Sequence, residues 1–442
     1  MSDSLIGRTH RASSLFNHSL LRAIHRFMDP FFSRRSRRAP HGWSDPALLA
    51  TTLLMAWSDS STITDRFNWS RRLVAGALPV RAGIGQTYQG FIKALMSRPD
   101  AMLPSVQSHL RTQVRRIAGD HWLCEGWLAF TVDGAEIDCP RTLANEEFFG
   151  IAARKGSGPQ QQLTSIMHMG TTLPWAWLSG GACVPERTHL RDMLDLLPKG
   201  ALLVADAGFT GYDLLSTLQA KGFHFLIRVG ANVTLLTDLG FDVQEKKSTV
   251  SLWPSHHRDR PPLVLRLIRL KQRGGRRMVL LTNVLESTRL SRRQARSLYH
   301  QRWGVEVFYR SFKQTLERRK MRSDAPRQAQ LELHSVMIAL TLLGLMSVSG
   351  LIARRVAASR CSIAAALRVV RQCMGGCRMS VRTLWQRLAR AEVDPYERKR
   401  SKSARSWPHK KNEPPPGEPT VRAATPREVR RAKRLAARLG LT

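Results

Sequence analysis

The chain of 442 residues is long enough to bury a large core and to form two or three domains. Hydrophobic residues make up 43% of it, an ordinary share that excludes a disordered protein. Its formal net charge of +37 favours a polyanionic partner, because each neutralised phosphate releases condensed counterions. Charge alone also allows a ribosome-associated or membrane-surface protein. Nucleic acid is the favoured partner, with DNA and RNA unresolved at this stage.

Cysteine spacing and the apolar runs bear on the compartment. The six cysteines, at positions 124, 139, 183, 361, 373 and 377, follow neither a zinc nor a disulfide pattern, so we expect buried or inert thiols in a reducing compartment. The N-terminus lacks an apolar signal region, and the longest apolar run, Val336 to Val348, is too short to span a bilayer. These patterns predict a cytoplasmic protein without a membrane segment.

The first 230 residues change from a helical to an α/β pattern. Residues 1–120 are basic and predicted to be mostly helical. After them, two apolar strands are each predicted to end in a carboxylate, the first at Asp133 and the second at Asp206. The other predicted elements are two short strands in Leu163–Leu178, helices at His189–Leu197 and Gly211–Lys221, and a strand at Phe223–Val229. Strands alternating with helices indicate an α/β domain with some parallel pairing.

A β-rich stretch and two long helices follow. Residues 231–285 alternate β-branched and polar side chains around a turn at Gly274-Gly275, which predicts an antiparallel insertion. A long helix is predicted to begin after Ser291, because Gln294 three residues later completes a capping box. A second, apolar helix covers 327–350.

The C-terminal region is basic and rich in proline. Pro414–Gly417 is predicted to be extended and mobile, and a capped basic helix is predicted at 426–439. The predicted organisation is a helical region at 1–120, a core at 121–230, an insertion at 231–285, the rest of the core at 286–355, a helical region at 356–394 and a basic tail at 395–442.

The long helix carries the most specific pattern, Tyr299-x2-Arg302-x3-Glu306-x6-Lys313. At about 100° per residue, these four side chains fall on one narrow face of an α-helix. Residues 289–322 hold eleven Lys and Arg and only two acids. A lone carboxylate among cations, with a tyrosine on the same face, suggests a site for a metal ion and a phosphate.

Each acid of this constellation also has an ordinary structural explanation. A strand-terminal aspartate such as Asp133 or Asp206 is more often a turn or N-cap residue. Glu306 could form a helix ion pair with a neighbouring arginine, worth only about 0.3–0.5 kcal/mol on an exposed face. Three carboxylates from two strands and a helix would, however, suit two Mg²⁺ ions about 3.5–4 Å apart.

The order of these residues resembles the DDE transposases of the insertion-sequence-four type, a bacterial family named for its YREK motif. Supporting matches over about residues 120–350 are Val132-Asp133-Gly134, Leu203–Phe209, Phe225–Val229 and Arg302-Trp303. The chain departs from the family at Ala135 and Glu136, where a small hydroxylated residue is commoner. Glu136 and Asp138 also lie close to Asp133. Strand alternation puts Asp133 and Glu136 on opposite faces, so Asp133 remains the candidate acid of this strand.

The resemblance implies an α/β, RNase H-like catalytic core interrupted by the antiparallel β insertion, with helical N- and C-terminal regions. It implies a metal-dependent polynucleotidyl transferase with two Mg²⁺ ions, for which Mn²⁺ could substitute. The implied catalytic metal ligands are Asp133, Asp206 and Glu306, and the implied phosphate contacts are Tyr299, Arg302 and Lys313. Trp253, in the insertion, is a candidate to stack on a flipped DNA base. A buried sheet tryptophan is an equal alternative.

The implied activity is DNA cleavage and strand transfer at the ends of the chain's own insertion sequence. The implied partners are terminal inverted repeats and target DNA, bound by a homodimer in the bacterial cytoplasm, at the nucleoid. Region 1–120 would read the DNA ends and tail 395–442 would contact phosphates generally, so truncation at Asp394 should lower affinity with little loss of sequence preference. Two alternatives are a non-catalytic DNA-binding protein descended from a transposase and a nuclease without strand transfer. The intact acids argue against the first, whereas the second shares every residue named.

Overall fold

The computed structural model describes eight stretches of the chain, residues 18–32, 42–78, 83–151, 158–241, 248–271, 277–376, 379–393 and 417–440. The predicted turn at Gly274-Gly275 and most of the predicted extended run at Pro414–Gly417 lie outside them. The chain divides into two compact units of three segments each. Unit 1 comprises Met1–Trp122, Gly134–Pro185 and Glu306–Asp394, and unit 2 comprises Leu123–Asp133, Glu186–Val305 and Pro395–Thr442.

Helices dominate the first part of unit 1, as predicted. They are α1 (Ser19–Phe32), α2 (Asp45–Trp57), α3 (Ile63–Ala77), α4 (Tyr88–Met96) and α5 (Pro99–Ala118). Helix α2 begins at Ser44, whose hydroxyl accepts a hydrogen bond from the amide of Ala47. Almost all of its side chains are buried, which explains why its sequence is apolar on every side.

A long apolar helix forms the centre of unit 1. This helix, α11 (Pro326–Ala353), packs against α2, α5, α12 (Ile363–Met374) and α13 (Val381–Leu388). In the part of the chain that the structure describes, it is the one helix long and apolar enough to cross a membrane. The prediction that no segment is long enough was therefore wrong about length, but 78% of the apolar window is buried within the fold. Its hydropathy is that of a core helix.

Two strands of unit 1 form an antiparallel hairpin, confirming the two strands predicted in Leu163–Leu178. They are β2 (Gln160–His168) and β3 (Leu173–Gly181), and they follow α6 (Leu143–Phe149). The strand before them, β1 (Ala129–Asp138), belongs to unit 2 through Asp133 and to unit 1 from Gly134 onward.

Unit 2 is an α/β unit around a mixed sheet. Its further strands are β4 (Leu202–Ala205), β5 (His224–Arg228), β6 (Thr234–Thr237), β7 (Thr249–Leu252), β8 (Leu263–Lys271), β9 (Arg277–Thr282) and β10 (Thr420–Ala423). Its helices are α7 (Glu186–Met193), α8 (Tyr212–Ala220), α9 (Arg292–Gln301) and α14 (Pro426–Arg438). The strand order is β10-β6-β7-β8-β9-β5-β4-β1.

The pairing in this sheet confirms an α/β fold with an antiparallel insertion. Strands β1, β4 and β5 are parallel, whereas β6 to β9 pair in antiparallel fashion. The insertion continues the sheet directly, because β9 pairs with β5. Helix α9 begins at the predicted capping box of Ser291 and Gln294.

The C-terminal segment folds onto the insertion, which the sequence analysis did not predict. Strand β10 pairs in parallel with β6, and α14 begins at a capping box of Thr425 and Glu428, which confirms the predicted short helix. The buried face of α14 closes a hydrophobic cluster of Leu236, Leu239, Phe241, Trp253, Val264, Ala432, Leu435 and Ala436. A truncation at Asp394 would therefore open this cluster as well as remove charge, and it cannot isolate the tail's contribution to binding.

The cysteines agree in part with the expectation of inert thiols. Among the described residues, Cys124, Cys139 and Cys373 are buried, whereas Cys183 is exposed, and the inertness of its thiol stays a prediction. Burial raises the pKa of Cys124 and Cys139 to about 11, so both thiols are protonated and unreactive at neutral pH. Cys377 lies outside the described residues.

Candidate active site

Two of the predicted acids stand at the same level of neighbouring parallel strands. Strand β1 pairs with β4 up to Thr131 opposite Val204, so the register two residues later sets Asp133 opposite Asp206. Adjacent strands are about 4.8 Å apart, which is close enough for two carboxylates to share a ligand. Both residues are half-buried. They lie at the carboxyl ends of the parallel pairing, where open α/β sheets bind ligands.

Asp133 and Asp206 are held in different ways. Asp206 follows the last residue of β4, as predicted, and its Oδ1 accepts a hydrogen bond of 2.9 Å from the amide of Gly208. Asp206 therefore does have the turn role that is the ordinary structural explanation for such an aspartate. Its carboxylate has further acceptor sites. Asp133 does not end its strand, contrary to the prediction, because β1 continues to Asp138.

The two other acids of β1 differ from Asp133 in their surroundings. Glu136 is exposed to solvent. The Oδ1 of Asp138 accepts a hydrogen bond of 2.7 Å from Nε2 of Gln160. Because the strand runs on through both residues, side chains alternate along its whole length. Glu136 and Asp138 are an odd number of residues from Asp133 and so lie on the opposite face, which still favours Asp133.

One cation at this edge of the sheet was not among the predicted site residues. Strand β5 pairs in parallel with β4 up to Ile227 opposite Ala205, so the next register step sets Arg228 opposite Asp206. The edge formed by β1, β4 and β5 thus carries an acid, an acid and a base. The signal was present in the sequence, because Arg228 is the penultimate residue of the predicted strand Phe223–Val229, just as Asp206 directly follows a predicted apolar strand.

Tyr299 and Arg302 join the same electrostatic neighbourhood in unit 2. Tyr299 is only 9% exposed, and the Arg302 guanidinium carbon lies 5.5 Å from the centroid of its ring. Burial raises the pKa of the Tyr299 phenol, the charges of Arg302 and Arg228 oppose that rise, and the Asp206 carboxylate adds to it. The phenol therefore keeps its proton and can donate a hydrogen bond.

The prediction of one uninterrupted helix from Tyr299 to Lys313 was wrong. Helix α9 ends at Gln301, and α10 (Gly304–Arg310) follows after a tightened turn in which the amide of Trp303 donates to the carbonyl of His300. A π-helical turn, Ser311–Thr315, then contains Lys313. Gly304, a poor helix former, marks the first interruption. The turn per residue is not a constant 100° across these breaks. Periodicity therefore no longer places the four YREK side chains on one face.

The YREK residues are divided between the two units. Tyr299 and Arg302 belong to unit 2, and Glu306 and Lys313, both half-buried, belong to unit 1. Within the described stretches, no group of three or more His, Cys, Asp or Glu side chains is arranged to hold a metal ion. Unit 2 places Asp133, Asp206 and Arg228 on one edge of its sheet and Tyr299 beside Arg302, while the roles of all the predicted site residues, Glu306 and Lys313 included, stay predictions.

Trp253 is not placed for base stacking. It is 2% exposed within the cluster under α14, its Nε1 donates to the carbonyl of Arg260 at 2.7 Å, and the Arg258 guanidinium covers its ring at 4.4 Å. The alternative of a buried sheet tryptophan is what the structure shows. Trp303, which sequence analysis treated only as part of a matching pair, is 52% exposed and lines a pocket with Tyr299 and Arg302.

Comparison with known proteins identifies the domain around these residues. Residues 132–342 match the family described as "Transposase DDE domain". This part of the chain is similar to transposase DDE domains. Over 236 residues it is 25% identical to the transposase InsG for insertion sequence element IS4 of Escherichia coli (strain K12). This match covers 50% of the chain and 52% of the relative, so the chain spans about half of that protein's length. The resemblance to DDE transposases of the insertion-sequence-four type is thereby confirmed.

The DDE domain of this chain contains Asp133, Asp206 and the whole of the YREK motif, since its matched range runs from 132 to 342. One solved structure, a cryo-EM synaptic complex of piggyBac transposase with hairpin DNA, aligns with a TM-score of 0.40 and 13% identity. That alignment covers 79% of this chain and 76% of the other. At this score the likeness adds nothing to the assignment of the DDE domain.

Proposed function

We propose that this chain is a transposase that cuts DNA at the ends of its insertion sequence and joins those ends to a target. The observation that carries the proposal is the parallel pairing of β1 with β4, whose register, continued by two residues, sets Asp133 opposite Asp206 in the range that matches transposase DDE domains. Tyr299 and Arg302 lie in the same electrostatic neighbourhood as Asp206. The parallel order of β1, β4 and β5, with helices between them, supports an RNase H-like core for this domain.

The proposed cofactor is a pair of Mg²⁺ ions, for which Mn²⁺ should substitute. Asp133 and Asp206 are half-buried carboxylates on neighbouring strands, and carboxylate oxygens are the ligands that Mg²⁺ prefers. Glu306 is proposed as the third ligand from the family pattern alone. When bound, two such ions make an attacking water or 3′-hydroxyl more acidic and stabilise the leaving oxygen of an in-line displacement.

The other side chains are proposed to hold the reacting phosphate. The planar Arg302 guanidinium can bind two phosphate oxygens at once, and Tyr299, whose raised pKa keeps it protonated, can donate to a third. Lys313 would add a point charge. Arg228 would offset the repulsion between the phosphate and Asp206. The exposed Trp303 ring is suited to stack on a base near that phosphate.

The proposed partners are the terminal inverted repeats and the target DNA. Assembly on two DNA ends would use a homodimer, with the basic region 1–120 as the reader of the ends. Such a protein would act at the nucleoid in the bacterial cytoplasm. A nuclease without strand transfer is the second candidate function, because it would use the same two aspartates. A non-catalytic DNA-binding descendant is less favoured, because carboxylates in a DNA site weaken binding.

The decisive experiment incubates the full chain with labelled DNA ends taken from the inverted repeats that flank its gene, in Mg²⁺ or Mn²⁺. Metal-dependent cleavage and joining are expected. Asp133→Asn, Asp206→Asn and Glu306→Gln should each lose several kcal/mol of transition-state stabilisation, which is more than about a hundredfold in rate, while DNA affinity is kept. Asp195→Asn is the matched control, because Asp195 is 83% exposed beside Lys221.

The possible outcomes separate the candidates. Absence of cleavage and joining in both metals would contradict the transposase proposal. Cleavage without joining would select the nuclease. If only the Glu306→Gln variant kept full activity, Glu306 would be removed from the site while the two aspartates remained.

A further inference from the structure

We propose that a basic groove in unit 2 holds the phosphate backbone of duplex DNA next to the Tyr299–Arg302 pair, an inference that rests on the proposed DNA substrate. The groove is formed by the hairpin of β8 and β9 and by α9. We name it the arginine groove, and its cations are Arg269, Lys271, Arg277, Arg292, Arg293 and Arg296.

The charge of the arginine groove is one-sided. All six cationic side chains are exposed, and no Asp or Glu is among the described residues that line the groove, although Glu418 lies 3.8 Å from the guanidinium of Arg277 at its rim. Like charges at this density repel one another, and a concave surface focuses their field toward a counter-ion. A solvated basic surface with interspersed acids would not show this pattern. The groove is therefore suited to a polyanion.

The backbone of β8 positions two of the arginines. Arg292 donates through Nη2 to the carbonyl of Arg269 at 3.5 Å, and Arg296 donates through Nη2 to the carbonyl of Lys271 at 3.4 Å. Both guanidinium groups are thus directed across the groove by neutral partners, which leaves their positive charge uncompensated. Each retains further N–H donors for a ligand.

The length of the groove fits a run of phosphates. Along α9, Arg292, Arg293 and Arg296 of the groove and His300 of the adjoining pocket lie within nine residues, whose eight steps rise about 12 Å at 1.5 Å per residue. One DNA strand advances about 3.4 Å per nucleotide, so this face covers three to four nucleotides.

The arginine groove continues directly into the pocket of the candidate site. Arg293 and Arg296 line both, and Tyr299, Arg302 and Trp303 line the adjoining pocket. A strand leaving the Tyr299–Arg302 pair along α9 would therefore meet the groove next. Contacts of this kind fix the register of the duplex and do not read its sequence.

The test measures DNA affinity rather than cleavage. Arg293→Ala/Arg296→Ala is compared with Arg368→Ala/Arg382→Ala, which removes the same charge from exposed positions on α12 and α13 of unit 1. Binding of a labelled end duplex is followed by fluorescence anisotropy from about 50 to 200 mM salt. Removing two phosphate contacts should lower the magnitude of the log–log salt slope by about 2, equally for related and unrelated duplexes. The control should keep the wild-type slope.

Several outcomes would contradict the proposal that the arginine groove binds DNA. They are equal slopes for the two variants, loss of affinity for one sequence only, or stronger competition by RNA or anionic lipid vesicles than by duplex DNA. Circular dichroism and urea midpoints exclude misfolding, and Arg293→Lys/Arg296→Lys should restore most of the slope. If the wild type cuts and joins DNA but the groove variants bind normally, only the groove fails. If the groove variants lose the slope but the wild type has no activity, only the proposed function fails.

Discussion

Asp206 and Arg228 stand at the carboxyl ends of adjacent parallel strands, one register step beyond the pairing of Ala205 with Ile227. An acid and a base are thus fixed by the sheet itself, without a long flexible connection. The charge of Arg228 also acts on Tyr299, whose pKa it lowers against the effect of burial. Arg228 therefore belongs electrostatically both to the pair of acids and to the side chains proposed to bind phosphate.

Replacing Arg228 with alanine should lower the rate of DNA-end cleavage by about 10- to 100-fold. A hydrogen bond to a charged group contributes about 1.5–3 kcal/mol, and each 1.36 kcal/mol is a factor of ten. Arg228→Lys should retain part of the activity, because it keeps the charge but not the planar fork. Single-turnover cleavage assays would measure this, with the exposed Arg191→Ala as control. A wild-type rate for Arg228→Ala would exclude Arg228 from the site.

Trp253 and Trp303 of unit 2 should respond to substitution in opposite ways. Trp253→Ala should lower the free energy of unfolding by about 3–5 kcal/mol, because it empties a buried cluster. Trp303→Ala should change stability by no more than about 0.5 kcal/mol and weaken binding of a frayed DNA end by about 1–3 kcal/mol. Urea denaturation and anisotropy would separate these effects. A stable Trp253→Ala protein with weakened binding would instead restore the stacking role to Trp253.

Acid should release the C-terminal segment from the insertion. The Arg422 guanidinium beside Glu428 lowers the pKa of that carboxyl from 4.5 to about 2, and Glu428 also pairs with Arg258 at 2.6 Å. Because the folded-state pKa is depressed, this stabilisation is complete above pH 4.5 and is lost as pH falls through 2. The urea midpoint followed by tryptophan fluorescence should drop over that window. Glu428→Gln should flatten the pH dependence of the urea midpoint over this window. Glu418→Gln, which changes an exposed ion pair, should leave that dependence as it is in the wild type.

A second pH dependence should arise in unit 1 from His168. Burial lowers the pKa of this imidazole to about 4, and its ring stacks on Trp122 at 4.8 Å while Nδ1 lies 2.9 Å from the hydroxyl of Thr171. The unfolded chain binds a proton near pH 6.5 and the folded chain only near 4, so stability should fall as pH drops between these values. His168→Gln should reduce this slope, leaving the contribution of other buried imidazoles such as His334, whose pKa burial also lowers to about 4. The same slope in that variant and in the exposed His256→Gln control would contradict the assignment.

Much of the fold could be predicted because its signals are local. Capping boxes placed the starts of α9 and α14, and apolar strands followed by Asp206 or ending in Arg228 marked the edge of the sheet. Parallel pairing then made the side-by-side position of Asp133 and Asp206 a consequence of strand order. These features depend on neighbours in sequence or on rules common to all α/β sheets.

The rest depended on contacts distant in sequence or on small departures from regular geometry. No periodicity in Thr420–Ala423 indicates that it pairs with Thr234–Thr237, almost two hundred residues earlier. Burial of Trp253 was one of the two alternatives in the sequence analysis, but the α14 side chains that cover it could not be predicted without that pairing. The break at Arg302 and the π-helical turn at Lys313 shift a helix by a fraction of a turn, which a fixed angle per residue cannot represent.

The junction of β10 and α14 with the insertion sets an order for synthesis of the protein. The insertion core around Trp253 cannot close until residues 420–438 have left the ribosome, since Leu435 and Ala436 form one wall of it. At about 5–20 residues per second, the ribosome finishes the catalytic strands β1, β4 and β5 well before that moment. A nascent or prematurely terminated chain would therefore hold β1, β4 and β5 with their acids while the insertion core remained open.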